Sequence, residues 1–273
     1  MNKSLEAAAA AFQFLSRFPV RYEIPFTPEV QQRSVVYYPL VGAAIGAVVC
    51  AVGWALGYVL PSLPLAVLLL IVWTALTGGL HLDGLMDSAD ALLSHRSRDR
   101  MLEIMKDSRV GAMGVIACVL VLMLKAALIA SLYELAEGAW KAWTLLLVLA
   151  PIWSRWVMVY AMFRWETARG SEGLASLFRG LSGRRVFQSF MLAFVLTCAG
   201  AVFVLASVEE DAVRFTIGLG VLLLPLAAYI AGVMVGSRIN RRLGGLTGDT
   251  YGALNELVEM LLLLWMVFML SLT

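Results

Sequence analysis

Seven apolar runs, each near the length of a bilayer crossing, constrain what this chain can fold into: Val35–Leu60, Leu63–Leu82, Val110–Leu132, Ala142–Phe163, Val186–Ser207, Phe215–Val235 and Asn255–Leu272. A helix needs about 20 mostly apolar residues to span the hydrocarbon core. Lipid offers no partner for backbone N–H and C=O groups, so such runs are expected as helices with every bond made internally. Composition agrees, with 61% of the 273 residues apolar and 15% charged, against about 45–50% and about 25% in soluble domains. The expected fold class is all-α, a polytopic membrane helical bundle of about seven transmembrane helices. Pro61-Ser62 joins the first two runs as a tight hairpin, and the last run is the weakest, being short with Glu259 near its start.

The N-terminal stretch Met1–Arg17 is too short to span and has no convincing cleavage site, so it reads as an amphipathic interfacial or re-entrant helix rather than a signal. No soluble domain fits between the runs and no internal repeat is visible, which makes residues 1–273 a single integral membrane domain. Cys50, Cys118 and Cys198 sit far apart in apolar runs and read as packed small hydrophobes.

Basic residues give an orientation, because Lys and Arg concentrate in cytoplasmic loops. With the N-terminus in the cytoplasm, that side holds Lys3, Arg17, Arg21 and Arg33, then Arg96, Arg98, Arg100, Lys106 and Arg109. It also holds Arg164, Arg169, Arg179, Arg184 and Arg185, and finally Arg238, Arg241 and Arg242. The opposite side keeps Lys141 and Arg214 beside Glu134, Glu137, Glu209, Glu210 and Asp211; Lys125 and Arg155 fall inside runs.

Under this topology three acids, Asp83, Asp87 and Asp90, gather on the cytoplasmic side just after Gly78-Gly79. Their spacing of four then three residues puts them on one helical face. Like charges so placed repel, and an Asp at mid-bilayer costs roughly 2.5–3.5 kcal/mol. A cation among the carboxylates would relieve this; ion pairing with the Arg96–Arg109 loop is the other reading. Mg²⁺ suits such oxygens, being held by one or two carboxylates plus substrate phosphates. The glycine pair is expected to break the second run, so that the acids open a new helix.

A second acidic stretch, Gly244–Glu256, brings Asp249, Asn255 and Glu256 to the same side after a glycine-rich turn of the kind that offers N–H groups to phosphate. Lys106, Asp107, Ser108 and Arg109 precede the third run, and Lys106 and Arg109 could clamp phosphate oxygens or serve as ordinary positive flanks. Arg155 lies inside the fourth run, where an ionisable residue marks a functional site with a partner to be named; the acidic triad or a substrate phosphate would serve, and snorkelling is the alternative. Arg169 and Glu172 are further loop contributors. His81 reads as a packed hydrogen-bonding residue, since a zinc site would need other soft ligands nearby. Together these residues point to phosphoryl transfer at a membrane surface, with carboxylates holding Mg²⁺ and basic groups neutralising charge.

The strings Phe14-Leu-Ser-Arg-Phe-Pro19, Tyr38-Pro-Leu-Val-Gly42, Gly79-Leu-His-Leu-Asp-Gly-Leu-Met-Asp-Ser-Ala-Asp90, Met105-Lys-Asp-Ser-Arg-Val-Gly-Ala-Met-Gly114, Gly245-Leu-Thr-Gly-Asp249 and Asn255-Glu256 cover most of the chain. In this order they resemble the cobalamin synthase family, the adenosylcobinamide-GDP ribazoletransferases. The resemblance implies a transferase of the bacterial inner membrane that joins adenosylcobinamide-GDP to α-ribazole or its phosphate and releases GMP, with Mg²⁺ as cofactor. It implies Asp83, Asp87, Asp90 and Asp249 as metal ligands. Those four and Glu256 would be the catalytic set and Lys106 and Arg109 would bind phosphates, with Asp107, Arg155 and Asn255 as further candidates for substrate or phosphate binding. The bilayer and the two substrates are the implied partners, with a homo-oligomer or other corrinoid-pathway membrane proteins admissible and nucleic acid not.

Two other classes compete. A CDP-alcohol-type lipid phosphotransferase also pairs Asp clusters across helices, but Asp83-Gly84 continues here as Leu-Met-Asp-Ser rather than with that family's downstream Ala-Arg. A transporter would place polar groups near the midplane and often show two similar halves; the acids here gather on one face.

Overall fold

The computed structural model describes residues 2–135, 146–206 and 211–272. Glu137, Lys141, Ala142, Ser207, Glu209 and Glu210, which enter the expected spans and charge asymmetry, lie outside the described residues. Among the described residues the regular structure is helical, with one isolated bridge between Thr167 and Leu246.

Helix α1 (Lys3–Leu15) buries Ala7, Ala10, Ala11 and Leu15, an i, i+3, i+4 stripe that docks it on the bundle. Its 13 residues do not reach across a bilayer. The chain turns and enters α2 (Pro28–Ser34), which passes through a short 3₁₀ turn into α3 (Tyr38–Leu56). Then come α4 (Ser62–Thr77), α5 (Leu80–Leu92), the short α6 (Arg98–Ile104) and α7 (Ala112–Leu135). The remainder is α8 (Leu146–Arg164), α9 (Gly183–Ala206), α10 (Asp211–Leu243) and α11 (Gly248–Leu270).

Among the described residues, five helical segments are long and apolar enough to cross a membrane: Pro28–Leu56, Ala112–Leu135, Gly183–Ala206, Arg214–Leu243 and Gly248–Leu270. The pair α4–α5 makes a sixth if it counts as one broken span. This is a multi-pass membrane helical bundle. The expected fourth run appears as α8, the innermost helix, on which Ala150, Trp153, Arg155, Val159 and Ala161 are fully buried. Helix α3 lies directly on α8, so closely that a Cβ on Gly42 would collide with the Pro151 carbonyl.

The second run breaks where its glycines allow it. Gly78 (φ 65°) and Gly79 (φ 73°) both adopt the left-handed conformation, and α4 and α5 meet at 92°. The freed backbone is met from outside: the Arg17 N–H donates to the Leu76 carbonyl at 2.7 Å. Helix α5 therefore runs across the bundle instead of continuing α4.

Helix α11 begins seven residues before the expected seventh run. A reciprocal cap explains the early start: Thr247 Oγ1 accepts from the Thr250 N–H, and the Thr250 hydroxyl accepts from the Thr247 N–H. α5 and α11 cross at glycines. A Cβ on Gly84 would lie 2.5 Å from the Asp249 carbonyl oxygen, and one on Gly252 would lie 3.2 Å from His81. Small residues at such crossings let membrane helices approach closely.

The loops expected on one side also meet one another. Arg98 donates to the Leu243 and Ala168 carbonyls at 2.7 Å each, and Arg242 to Leu92 at 3.3 Å. At the other end, Tyr133 donates to the Gly57 carbonyl at 2.7 Å and Ser62 to Glu134 at 2.5 Å. Segments expected at the same end of the bundle thus meet one another.

Gly84→Val tests the close crossing. Overpacking at such a contact costs about 1–3 kcal/mol, so the variant should unfold at a lower temperature in detergent. An unchanged midpoint would show that α5 and α11 do not rely on this contact.

Candidate active site

The α5–α11 crossing brings the two acidic stretches together. Asp83 and Asp249 line one cleft with His81, Gly84, Gly248 and Gly252. Asp87, one turn along α5, lies within the electrostatic reach of Asp83, Asp249 and Asp90, and of Arg169 on the other side of the balance. Arg169 approaches Asp249 with Nη2 3.5 Å from Oδ2, both side chains partly buried. One guanidinium against three carboxylates leaves this rim with excess negative charge. Thr247 Oγ1, 3.4 Å from Asp249 Oδ2, adds a hydroxyl donor.

Asp90 does something else. Its Oδ2 accepts from the Gly111 N–H at 2.6 Å and its Oδ1 from the Gly114 N–H at 2.8 Å. These donors belong to the start of α7, where the first N–H groups have no intrahelical partner and the helix dipole favours an anion. Asp90 thereby ties α5 to α7. The glycines are needed for the approach: a Cβ on Gly114 would lie 2.6 Å from Asp90 Oδ2 and 2.8 Å from the Met86 carbonyl oxygen. Sequence spacing groups Asp90 with Asp83 and Asp87, whereas the structure commits both its oxygens to backbone donors.

Lys106 and Arg109 sit on an exposed loop beside this region. Lys106 pairs with Glu172 at 3.2 Å, and Arg109 with Asp107 at 2.8 Å. Side-chain and backbone hydrogen bonds from Arg109 hold the Asp107 carboxyl well down, at about 2. Asp107 therefore presents Arg109 at the surface rather than facing a phosphate itself.

Arg155, Asn255 and Glu256 are not at the rim. Arg155 is fully buried and paired with Glu259, so the expected partner, an Asp of the triad or a phosphate, gives way to a carboxylate inside the bundle. Lys125 reaches the same place from α7, 2.8 Å from Glu256 and 2.6 Å from Glu259, and sits 4.8 Å over the Trp73 ring. Asn255 donates to Glu259 at 3.2 Å, as does Ser154 at 3.3 Å. Two cations and two carboxylates thus form a buried, charge-neutral cluster joining α7, α8 and α11. Snorkelling is excluded for Arg155 because 0% of it is exposed. The sequence carries one signal for the cluster: Lys125, Arg155, Glu256 and Glu259 all fall in apolar runs, and charges there pair with one another.

Among the described residues no three or more His, Cys, Asp and Glu side chains converge as a closed metal site. What the rim offers is open: hard carboxylate oxygens of Asp83, Asp87 and Asp249, with no soft ligand in the set. That donor chemistry fits Mg²⁺, which is commonly completed by substrate phosphates and water.

The fold and this rim define a polytopic membrane protein with a carboxylate-lined cleft at one end of its helical bundle. A family model described as cobalamin-5-phosphate synthase matches residues 7–267, and the chain belongs to that family. It is 41% identical over 254 residues to a protein of Roseiflexus sp. (strain RS-1), covering 93% of this chain and 86% of that one. It is 40% identical over 263 residues to one from Desulforamulus reducens, covering 96% and 94%, and 36% identical over 255 residues to one from Herpetosiphon aurantiacus, covering 93% of each. All three relatives are named adenosylcobinamide-GDP ribazoletransferase. No solved structure matches the chain. The match leaves the lipid-phosphotransferase and transporter readings without support.

Two substitutions test the cluster and the α5–α7 tie. Lys125→Met leaves a buried carboxylate unpaired and should cost about 3–5 kcal/mol, read as a fall in thermal midpoint in detergent. Asp90→Ala strips a cap worth about 1–2 kcal/mol, and should speed trypsin cleavage at Arg109. Unaltered cleavage would remove the anchoring role assigned to Asp90.

Proposed function

We propose that this protein joins adenosylcobinamide-GDP to α-ribazole, or to α-ribazole phosphate, with release of GMP, completing the nucleotide loop of a cobalamin. Family membership over nearly the whole chain carries this reading. The convergence of Asp83, Asp87 and Asp249 at the α5–α11 crossing supplies a site whose chemistry suits it. The acceptor's ribose hydroxyl attacks the phosphorus that bears the cobinamide alcohol. A P–O bond forms there, the bridging P–O bond to the GMP phosphate breaks, and GMP departs with the electron pair.

Asp83, Asp87 and Asp249 would hold Mg²⁺, which when bound neutralises diphosphate oxygens and lowers the cost of the leaving GMP's charge. The chain's own groups supply the rest. A carboxylate of that set takes the hydroxyl proton. Lys106 and Arg109, on the exposed loop, and Arg169, beside Asp249, offset phosphate charge as it shifts towards GMP. Asp90 keeps the Lys106–Arg109 loop against α5 by holding the start of α7. The activity sits on the cytoplasmic face of the bacterial inner membrane, a placement supported by the concentration of Lys and Arg in loops at that end.

Purified protein in detergent or liposomes, given adenosylcobinamide-GDP, α-ribazole phosphate and Mg²⁺, should release GMP. Absence of GMP under conditions where a relative such as the Roseiflexus protein works would remove the assignment. Asp83→Asn should abolish turnover, at least 100-fold on the scale of a lost electrostatic contact, while inserting into membranes like the wild type. Full activity in that variant would take Asp83 out of the site.

A further inference from the structure

The cleft beside the carboxylates has two kinds of wall. Asp83 and Asp249 come from α5 and α11; the apolar lining comes from Phe14 and Leu15 of α1, Met158 and Met162 of α8, and Phe178. About 80 Å³ of space lies between them. A single water needs about 10–15 Å³ on this measure, so the cleft has room for a group of several atoms. At its inner surface lies His81, 1% exposed, whose Nε2 has no hydrogen-bond partner.

The other ring nitrogen settles the tautomer. His81 Nδ1 lies 3.3 Å from Asn255 Nδ2 and 3.5 Å from Arg155 Nη2. The guanidinium can only donate. The amide nitrogen of Asn255 also donates to Glu259 at 3.2 Å, and turning the amide over would set its oxygen against that carboxylate. Both neighbours are therefore donors, Nδ1 is the acceptor, and the proton of the neutral imidazole sits on Nε2. The buried charge cluster thus holds His81 as a fixed N–H donor whose own partner is missing, and a buried donor without an acceptor is costly.

An anion would find no cation on the apolar wall, and a metal would find no ligand there. An uncharged aromatic ring with one lone-pair nitrogen satisfies both surfaces. We infer that this cleft seats the aromatic base of the acceptor nucleoside, with the unglycosylated ring nitrogen of its benzimidazole accepting a hydrogen bond from His81 Nε2–H. This rests on the activity proposed above. That nitrogen is separated by one ring atom from the sugar-bearing nitrogen, so a base held at His81 keeps its ribose beside Asp83 and Asp249. His81 contacts substrate; Asn255, Arg155 and Glu259 are positioning residues that fix its tautomer.

The test compares two acceptors with the full-length protein in detergent: α-ribazole, and its analogue in which C–H replaces the free ring nitrogen. Wild type should favour α-ribazole in kcat/KM by about tenfold, the worth of one neutral hydrogen bond. His81→Leu should bring the ratio near one, and His81→Gln, whose amide N–H takes the place of Nε2–H, should restore much of the preference. Equal use of both acceptors by the wild type overturns the inference while GMP release keeps the activity. A ratio unchanged in His81→Leu, with both rates lowered, overturns it in favour of a purely structural histidine. Absence of GMP with either acceptor removes the activity reading and this inference with it. The chain has two histidines, so ¹⁵N spectra of the labelled wild type read the tautomer directly without any variant. Protonation at Nε2 alone is expected, and a proton on Nδ1 overturns the assignment.

Discussion

Four charges inside an apolar bundle must neutralise one another, and that requirement governs how this protein is put together. Lys125, Arg155, Glu256 and Glu259 come from three helices that are far apart in the chain. None of them can be left alone, because stranding one buried charge costs about 3–5 kcal/mol. The three helices therefore have to arrive in one register for any of them to be tolerated. Net stabilisation from such a cluster is small, since desolvation offsets the attraction; its consequence is specificity of assembly. α11, which supplies two of the four charges, is the helix most constrained, meeting α7 through Lys125 and α8 through Arg155.

The second constraint is steric and acts one layer nearer the surface. The 92° turn at Gly78-Gly79 lays α5 across α11, and Gly84 and Gly252 let their backbones meet. A side chain at either position would widen the gap and separate Asp83 from Asp249. Cluster and crossing share residues: His81 sits against Gly252 and also touches Asn255 and Arg155. The interior charges are thus connected mechanically to the rim.

Much of this architecture is legible in the residues. Apolar length finds the bundle, and Gly78-Gly79 marks the break. The positions of Asp83 and Asp249 after glycines place them at helix starts on one face. What spacing cannot convey is which atom a carboxylate faces. Asp90 lies on the same helical side as Asp83 and Asp87, yet Gly111 and Gly114 draw it to α7, and this depends on the direction α7 takes. Arg155 reads as a phosphate ligand because a lone intramembrane cation calls for an anion, and the nearest acids in the sequence reading are the triad. Its true partner, Glu259, is 104 residues away on a helix whose start is set by the Thr247–Thr250 cap. The late expected start of the seventh run comes from the same cap, since apolarity alone begins counting only after Asp249.

Rim and interior differ in charge balance. Glu256 and Glu259 are each paired with a buried cation, Lys125 with both and Arg155 with Glu259. Asp249 has Arg169 3.5 Å away, while Asp87 feels Asp83, Asp249 and Asp90 with Arg169 opposing them. That like charge, gathered at one crossing, is the physical basis for proposing that a cation and the phosphates it carries are held here. The apolar wall that begins at His81 then sets the direction of approach. On the proposed activity, a charged diphosphate would keep to the carboxylates and an uncharged ring to the apolar lining. A cleft divided in this way keeps donor and acceptor from competing for the same surface and brings them together at the line where the two walls meet.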